Sequence, residues 1–183
     1  KGHLWVADPS NHRVQEWLVP IEAPTYADSF GSKGSGEGQL SSPADVAVGL
    51  GGNIWVADRA NNRIQKFSPE GKFLATLGKA GSGEGQFSSP ASVAIDRDGN
   101  LLVADRGNHR VQELSPEGEF ILSFGSQGEG LGEFSWGPKE IAVDPQEDIW
   151  VSEYGCRVQE FDAEGEFLRS VGSEYGADVK ASW

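Results

Sequence analysis

Aspartate and arginine side chains recur together and are the first residues of this 183-residue chain that could do chemistry. They could form a ring of ligands, or they could form one ion pair within each copy of a repeat. Recurrence at equivalent positions favours the ion pair, because a ligand seldom needs the same pair in every copy. The pairs are Asp8 with Arg13, Asp58 with Arg63, Asp105 with Arg110, and Glu153 with Arg157.

A glutamine follows each arginine, and a histidine or asparagine precedes three of the four. Histidine is the usual general acid or base, but His12 and His109 occupy the position that Asn62 holds in another copy. We therefore interpret both histidines as repeat residues and predict no catalytic residue. The glutamine amides are expected to satisfy buried backbone groups. These glutamines are Gln15, Gln65, Gln112 and Gln159.

Three further sequence patterns resemble cofactor or nucleophile motifs, but each lacks residues that the motif requires. Residues 96–100 offer calcium-type oxygen ligands, but Leu101 and Gly107 stand where an EF-hand loop requires Gly and Glu. Residues 81–86 are glycine-rich like a phosphate loop, yet they lack the Gly-Lys-Ser/Thr ending. Cys156 has no base beside it in sequence to activate a nucleophile. We predict a tight turn, a linker and an incidental cysteine, with no metal and no cofactor.

The charge balance disfavours two classes of partner. The formal net charge is −13, whereas nucleic-acid binding depends on a basic surface. Anionic membrane surfaces are disfavoured for the same reason, and no apolar run is long enough to span a bilayer. We expect an acidic protein that binds neither nucleic acid nor the inside of a membrane.

The elements that must position these side chains are short strands in a repeated unit. Residues 53–78 and 100–125 carry nearly the same text, and residues 4–31 and 149–172 carry weaker copies. Alternating apolar residues and Gly/Pro/Asn/Asp punctuation predict four antiparallel strands in each full copy. Such a meander, repeated, is typical of propeller blades. The sequence therefore predicts an all-β propeller of about four four-stranded blades.

One domain spans residues 1–183, with blade 1 near residues 1–31, blade 2 near 43–78, blade 3 near 90–125 and blade 4 near 138–172. Residues 177–183 resemble the innermost strand that blade 1 lacks, and could complete it to close a small ring. Alternatively, they begin a fifth blade and the chain is an arc of a larger propeller. The start inside a repeat unit, without Met, leads us to expect a part of a longer chain.

The amino-acid sequence of the repeat resembles that of a known family. The text reads Pro-x-x-Val-Ala-Val/Ile-Asp, then Gly-Asn-Ile/Leu-x-Val-Ala-Asp-x-x-Asn-x-Arg-Val/Ile-Gln-x-Phe. It resembles the NHL repeat, the β-propeller module of the teneurins, many secreted bacterial proteins and the TRIM-NHL proteins. The resemblance covers nearly the whole chain, although NHL propellers usually have more blades. It implies an extracellular or cell-surface location and a propeller that binds other molecules through its loops.

The loops between the second and third strands and the connections between blades are expected on one face, which we call the loop rim. Trp136 and Tyr154 are aromatic where other copies carry small or polar residues, and such residues, with arginines, are typical binding anchors. Packing of Trp136 under its own loop is the alternative. The candidate binding residues are Asn11, His12, Arg59, Asn62, Arg106, His109, Trp136 and Tyr154.

Three functions compete at this point. A non-enzymatic scaffold for protein–protein interaction, presenting loops from one rim, is the first prediction. A metal-dependent lyase or hydrolase with its site at the central channel is the second, because some propellers have such sites. A protomer that self-associates into a larger ring or fibre is the third, because an open arc would expose apolar sheet faces. A protein partner or a second copy is therefore the expected partner.

Overall fold

The computed structural model describes residues 2–19, 25–49, 51–154 and 157–172. These residues form four antiparallel sheets joined by loops and 3-10 turns. Blade 1 holds β1 (Gly2–Asp8), β2 (Arg13–Val19) and β3 (Thr25–Phe30). Blade 2 holds β6 (Pro43–Val48), β7 (Ile54–Asp58), β8 (Arg63–Phe67) and β9 (Phe73–Leu77). Two-residue strands precede blades 2 and 3: β4 (Ser32–Lys33), β5 (Gln39–Leu40), β10 (Lys79–Ala80) and β11 (Gln86–Phe87).

Blades 3 and 4 repeat the plan of blade 2. Blade 3 holds β12 (Ser92–Ile95), β13 (Leu101–Asp105), β14 (Arg110–Leu114) and β15 (Phe120–Phe124). Blade 4 holds β16 (Pro138–Val143), β17 (Ile149–Glu153), β18 (Val158–Phe161) and β19 (Phe167–Val171). Strands pair in chain order within each blade, so the predicted antiparallel meander is confirmed. The parallel pairs β4–β5 and β10–β11 within the connections were not predicted.

Apolar residues on both faces of each inner blade explain why the blades stack. In β7, Ile54 and Val56 pack towards blade 1, whereas Trp55 and Ala57 pack towards blade 3. Side chains alternate between the faces of a strand, so a strand packed between two blades must be apolar throughout. Every residue of β7 and of β13 is buried.

Each interface between consecutive blades has its own apolar cluster, and polar bonds join the inner strands. The three clusters lie between blades 1 and 2, blades 2 and 3, and blades 3 and 4. Near the centre, the Ser92 hydroxyl donates to the Asp45 carboxylate at 2.6 Å. The backbone N–H of Ile141 then donates to the Ser92 hydroxyl at 3.2 Å. This short chain of hydrogen bonds fixes blades 2, 3 and 4 relative to one another.

The described residues form an open arc, because the outward faces of the end blades are not buried. Val171 of blade 4 is 54% exposed, whereas Leu77, at the equivalent position of blade 2, is 5% exposed. Leu4 of blade 1 is 48% exposed, whereas its equivalent Ile54 is fully buried. Residues 177–183 lie outside the described residues, so ring closure and a fifth blade both stay predictions. No helix in the described residues has the length and hydrophobicity to cross a membrane.

Candidate functional site

The recurring acidic residue is the centre of a polar cluster in each blade, and this residue is buried in blades 2, 3 and 4. Asp58 ends β7 and is fully buried. Its carboxylate accepts hydrogen bonds from the Ser41 backbone N–H at 2.7 Å and from Asn61 Nδ2 at 2.8 Å. It also accepts bonds from Arg63 Nε at 2.8 Å and Gln65 Nε2 at 3.2 Å. We call the four side chains Asp58, Asn61, Arg63 and Gln65, with their equivalents, the hub of a blade.

The hub ties the incoming connection to its blade. The Arg63 guanidinium donates to the carbonyls of Ser35, Gly36 and Gln39, each at 2.8 Å. Gln65 also donates to the Gln39 carbonyl and accepts from the Gly38 N–H at 3.0 Å. The blade 3 hub, built on Asp105 and Arg110, makes corresponding bonds to its own connection. These side chains are thus engaged with protein groups rather than directed at a ligand.

Blade 4 keeps the hub although its turn after β17 is one residue shorter. Glu153 replaces aspartate there and accepts bonds from the Ser135 N–H at 2.9 Å and Arg157 Nε at 2.5 Å. Arg157 donates in turn to the carbonyls of Gly130 and Glu133 at 3.0 and 2.8 Å. The additional methylene of glutamate compensates for the shorter turn.

Three of the predicted binding residues form hydrogen bonds that connect neighbouring blades, so they are not available only to a ligand. His12, Asn62 and His109 follow the 3-10 turns with φ of 55°, 53° and 54°. This left-handed conformation is tolerated best by Asn, Asp and His among residues with a side chain. The Ser42 N–H donates to His12 Nδ1 at 3.1 Å, and the Ser89 N–H donates to Asn62 Oδ1 at 2.8 Å.

His109 makes the third of these contacts in a different way. Its Nδ1 lies 2.8 Å from the Phe134 carbonyl oxygen. Because a carbonyl only accepts, Nδ1 carries the hydrogen, and Nε2 is the acceptor nitrogen of the neutral ring. The sequence pattern showed this position but not its partner, because the partner lies in the next copy of the repeat.

Two other predicted binding residues have simpler surroundings. Asn11 Nδ2 donates to both oxygens of Asp8, at 2.9 and 3.1 Å, so it belongs to the hub of blade 1. Arg59 follows Asp58 at the loop rim and makes no ion pair with any described carboxylate. Neither residue lies beside Trp136 or Tyr154.

The remaining predicted residues converge on one pocket between blades 3 and 4. The Arg106 guanidinium lies over the Tyr154 ring, 4.7 Å from its centroid. Lys139 Nζ lies 5.8 Å from the same centroid. The pocket encloses about 540 Å³ and is lined by Ser89, Arg106, Gly107, His109, Gln127, Ser135 and Trp136, and we call it the rim pocket.

A local insertion exposes Trp136 at this pocket. Blade 4 reads Ser135-Trp136-Gly137-Pro138 where blade 3 reads Ser88-Ser89-Pro90. Gly137 has φ of 75°, and a Cβ added there would lie 2.1 Å from the carbonyl oxygen of Arg106. Only glycine permits this close approach, which brings the inserted residues against Arg106. Trp136 is 64% exposed, so it lies on the surface and not under its own loop.

The rim pocket differs in charge from the rest of the protein. Its lining includes Arg106 but no aspartate or glutamate, although the chain carries 28 acidic and 15 basic residues. Within residues 2–19, 25–49, 51–154 and 157–172, Arg106 forms no ion pair, whereas Arg63 and Arg110 are paired within their hubs. The arrangement can therefore bind an anion beside an apolar surface.

The repeat sequence matches a known family model in two blades. A sequence model of the NHL repeat matches residues 40–67 and 87–114. These two segments, in blades 2 and 3, are similar to the NHL repeat. Each matched segment runs from the end of an incoming connection through the third strand of its blade, so the NHL repeat includes the whole hub except the loop carbonyls. A search of curated proteins finds no sequence match.

Solved β-propellers have a fold similar to that of this chain. An inactive virginiamycin B lyase from Staphylococcus aureus, solved with quinupristin, aligns with a TM-score of 0.66 and 12% identity over 96% of this chain and 54% of its own. A protein of unknown function from Bacteroides caccae aligns with a TM-score of 0.64 and 19% identity over 93% of this chain and 57% of its own. A streptogramin B lyase aligns with a TM-score of 0.64 and 13% identity over 96% of this chain and 52% of its own. The predicted all-β propeller is confirmed, and the chain spans just over half the length of these structures.

Carboxylates that could hold a metal ion occur together away from the NHL loop rim. Among the described residues, Asp144, Asp148 and Glu160 form the group whose oxygens lie within 4.8 Å of one another. Arg169 pairs with Glu160, and Trp150 Nε1 donates to Asp144 at 3.1 Å. That hydrogen bond lowers the pKa of Asp144, whereas burial and then Asp144 raise the pKa of Asp148. Protein groups therefore already bind the Asp144 and Glu160 carboxylates.

The region from Asp96 to Asn100 is a turn stabilised by its own side chains. Asp96 accepts from the Asn100 N–H at 2.7 Å and from Asn100 Nδ2 at 2.9 Å. Asp144 and Asp148 bound the corresponding turn of blade 4, and both turns lie at the ends of their strands opposite the loop rim. The carboxylate group is therefore not at the rim pocket.

Proposed function

We propose that this NHL-repeat propeller is a non-enzymatic scaffold that binds a protein partner at its loop rim. The observation that carries the proposal is that Arg106, His109 and Trp136 line the rim pocket, with the Arg106 guanidinium over the Tyr154 ring. An exposed tryptophan beside an arginine without an ion pair is typical of a binding hot spot. The pocket volume of about 540 Å³ is in the range of ligand sites.

The stiffness of the rim supports this proposal. Hub side chains hold each connection through several hydrogen bonds, and His12, Asn62 and His109 join that rim to the next blade. Loops held in one conformation lose little entropy when they bind a partner. Function commonly lies on loops positioned by a rigid scaffold.

A catalytic role has less support than binding. Two of the similar structures are lyases. Their sequences are only 12 and 13% identical to this chain, so the similarity indicates the fold alone. In the described group of Asp144, Asp148 and Glu160, Trp150 binds Asp144 and Arg169 binds Glu160, and the group lies away from the rim pocket. Binding therefore remains the preferred function.

Self-association is a second candidate, because the outward faces of both end blades are exposed. Val171 of blade 4, and Leu4 and Val6 of blade 1, are apolar side chains exposed at these faces. Head-to-tail contact between copies would bury them. Sedimentation equilibrium from micromolar to millimolar protein tests this candidate, and a monomer throughout would exclude it.

The choice of partner class follows from charge and from the family. A net charge of −13 disfavours nucleic acid, and strong, salt-sensitive binding of RNA would contradict this proposal. We also propose an extracellular or cell-surface location, by resemblance to other NHL proteins.

Selection of peptides tests the scaffold proposal. A random twelve-residue phage library is panned on the purified chain, and enriched peptides are measured against the wild type, Trp136→Ala and Leu74→Ala. Leu74 is a matched exposed apolar residue on the outer strand β9. We expect Trp136→Ala to abolish binding and Leu74→Ala to leave it unchanged. A selection without enrichment, or equal effects of the two substitutions, would overturn the proposal.

A further inference from the structure

No carboxylate among the described residues pairs with Arg106, although the protein is strongly acidic. Arg63 and Arg110 are paired with aspartates, and Arg97, Arg157 and Arg169 with glutamates. Among the described arginines, Arg59 and Arg106 form no such pair. Arg59 has no aromatic neighbour, whereas Arg106 lies over Tyr154 and lines a pocket with Trp136.

Among the described residues, no side-chain hydrogen bond occupies the N–H groups of Arg106, whose guanidinium lies over the Tyr154 ring. A guanidinium packed on an aromatic ring uses its face, and its N–H donors point outwards in the plane. Such a fork matches a carboxylate through two parallel hydrogen bonds. The Ser89 hydroxyl and the Gln127 amide add donors to the lining, which contains no competing carboxylate.

The whole-molecule charge selects among possible anions. At −13, the protein repels a phosphate dianion more strongly than a carboxylate monoanion at the same distance. Arg106 and Lys139 both lie near Tyr154, but Lys139 also pairs with Glu140 at 3.8 Å. The net local charge therefore offsets one negative charge. The exposed face of Trp136 offers a flat apolar surface at the same pocket, which suits an aromatic side chain.

We propose that the rim pocket binds a protein segment in which an aspartate or glutamate is next to an aromatic residue. The carboxylate binds the free edge of Arg106, and the aromatic ring packs on Trp136. This inference rests on the proposed scaffold function, for which it names the chemistry of the partner. The segment is an acidic, aromatic peptide, and its carboxylate distinguishes it from the neutral peptides that the scaffold proposal also allows.

Capped tripeptides test the inference directly. The probes are Ac-Phe-Glu-Phe-NH₂, its Gln analogue and its phosphoserine analogue, titrated into the full chain by calorimetry at low ionic strength. We expect the Glu peptide to bind at least about tenfold more tightly than the Gln and phosphoserine peptides, as for a charge-assisted bidentate contact. Equal affinities of the Glu and Gln peptides, or tighter binding of the phosphoserine peptide, would overturn it.

Variants assign the effect to Arg106. Arg106→Gln is expected to reduce the affinity of the Glu peptide to that of the Gln peptide, and Arg106→Lys to give an intermediate loss. Arg59→Gln, at the equivalent position of blade 2, is the matched control and should change nothing. Unchanged thermal unfolding shows that each variant is folded. Tight binding of the Glu peptide by folded Arg106→Gln would contradict the assignment.

The library and the tripeptides separate two failures. Suppose that the selected peptides depend on Trp136 but lack acidic residues, and that the tripeptides show no preference for Glu over Gln. This result would contradict the inference about the carboxylate and would still support the scaffold proposal. A library without enrichment, together with tripeptides that do not bind, would remove both.

Discussion

At the scale of single residues, the buried carboxylate of each hub is the most demanding group in the chain. Asp58 is fully buried, yet it accepts four hydrogen bonds from the backbone and from neighbouring side chains. A buried charge is tolerated when it is paired and fully hydrogen-bonded. The hub therefore depends on all its members at once.

We expect Asp58→Asn to destabilise the fold by about 3–5 kcal/mol, because it leaves the Arg63 charge without its partner. The shift of the urea midpoint measures this. Asp8→Asn is the control: Asp8 lies in an end blade and pairs with a more exposed arginine, so its loss should be smaller. Equal losses would show that burial of the pair does not decide its contribution.

Glu113 supplies a prediction about pH. Burial, and then the charge of Asp96, raise the pKa of Glu113 above the ordinary 4.5. A raised pKa favours the folded state below pH 4.5, and this advantage is lost as pH rises through the folded value. Glu113→Gln removes the charge and keeps an acceptor for Asn100, so we expect it to be more stable than wild type at pH 7 but not at pH 3.

Urea unfolding at both pH values checks this prediction, with the exposed Glu119→Gln as control. The control should shift the unfolding midpoint much less than Glu113→Gln at pH 7. A Glu113→Gln protein less stable than wild type at pH 7 would mean that the ionised carboxylate stabilises the fold.

At the scale of elements, each incoming connection is anchored by one buried apolar residue. Leu40, Phe87 and Phe134 hold this position and are fully buried. The preceding outer strand ends on glycine to make room: a Cβ on Gly125 would lie 2.4 Å from Phe134 Cε2. The anchor and the hub together turn a glycine-rich linker into an ordered element.

We expect Phe134→Ala to cost about 3–5 kcal/mol, because it leaves a cavity between the connection and blade 4. Phe134→Leu should cost less than about 1.5 kcal/mol, because leucine already anchors the equivalent connection at Leu40. Urea unfolding of both variants gives the comparison. Similar losses for Ala and Leu would show that the shape of the ring, and not its volume, stabilises the connection.

The sequence was sufficient for the strands but not for the connections. The continuous apolar run in a strand such as Ile54–Asp58 reflects burial directly, because each side chain contacts a neighbouring blade. The parallel pairs in the connections leave no such pattern, since Arg63 and Gln65 bind backbone carbonyls far away in sequence. Arg106 and Trp136 were predicted separately, but their convergence depends on the close approach at Gly137.

At the scale of the whole molecule, the open arc makes stability uneven. Blades 2 and 3 are each packed on both faces, whereas blades 1 and 4 each have one exposed face among the described residues. In a linear array, each unit is stabilised mainly by its nearest neighbours. The inner blades should therefore open last.

Amide hydrogen exchange measures this difference. We expect the slowest exchange in β7 and β13, whose residues are all buried, and faster exchange in β3 and β19 of the end blades. After correction for intrinsic rates, uniform protection across the blades would indicate one cooperative unit. Protection that is highest in blade 4 would contradict the nearest-neighbour account.

The hub also defines where one module of the chain starts. Arg63 and Gln65 hold residues 35–39, so the glycine-rich stretch belongs to the blade that follows it and not to the one before. A gene duplication or an engineered excision that begins at Pro43 would separate donors from acceptors, whereas one that begins at Ser32 would carry a self-sufficient module. Grafting of additional blades should respect that boundary.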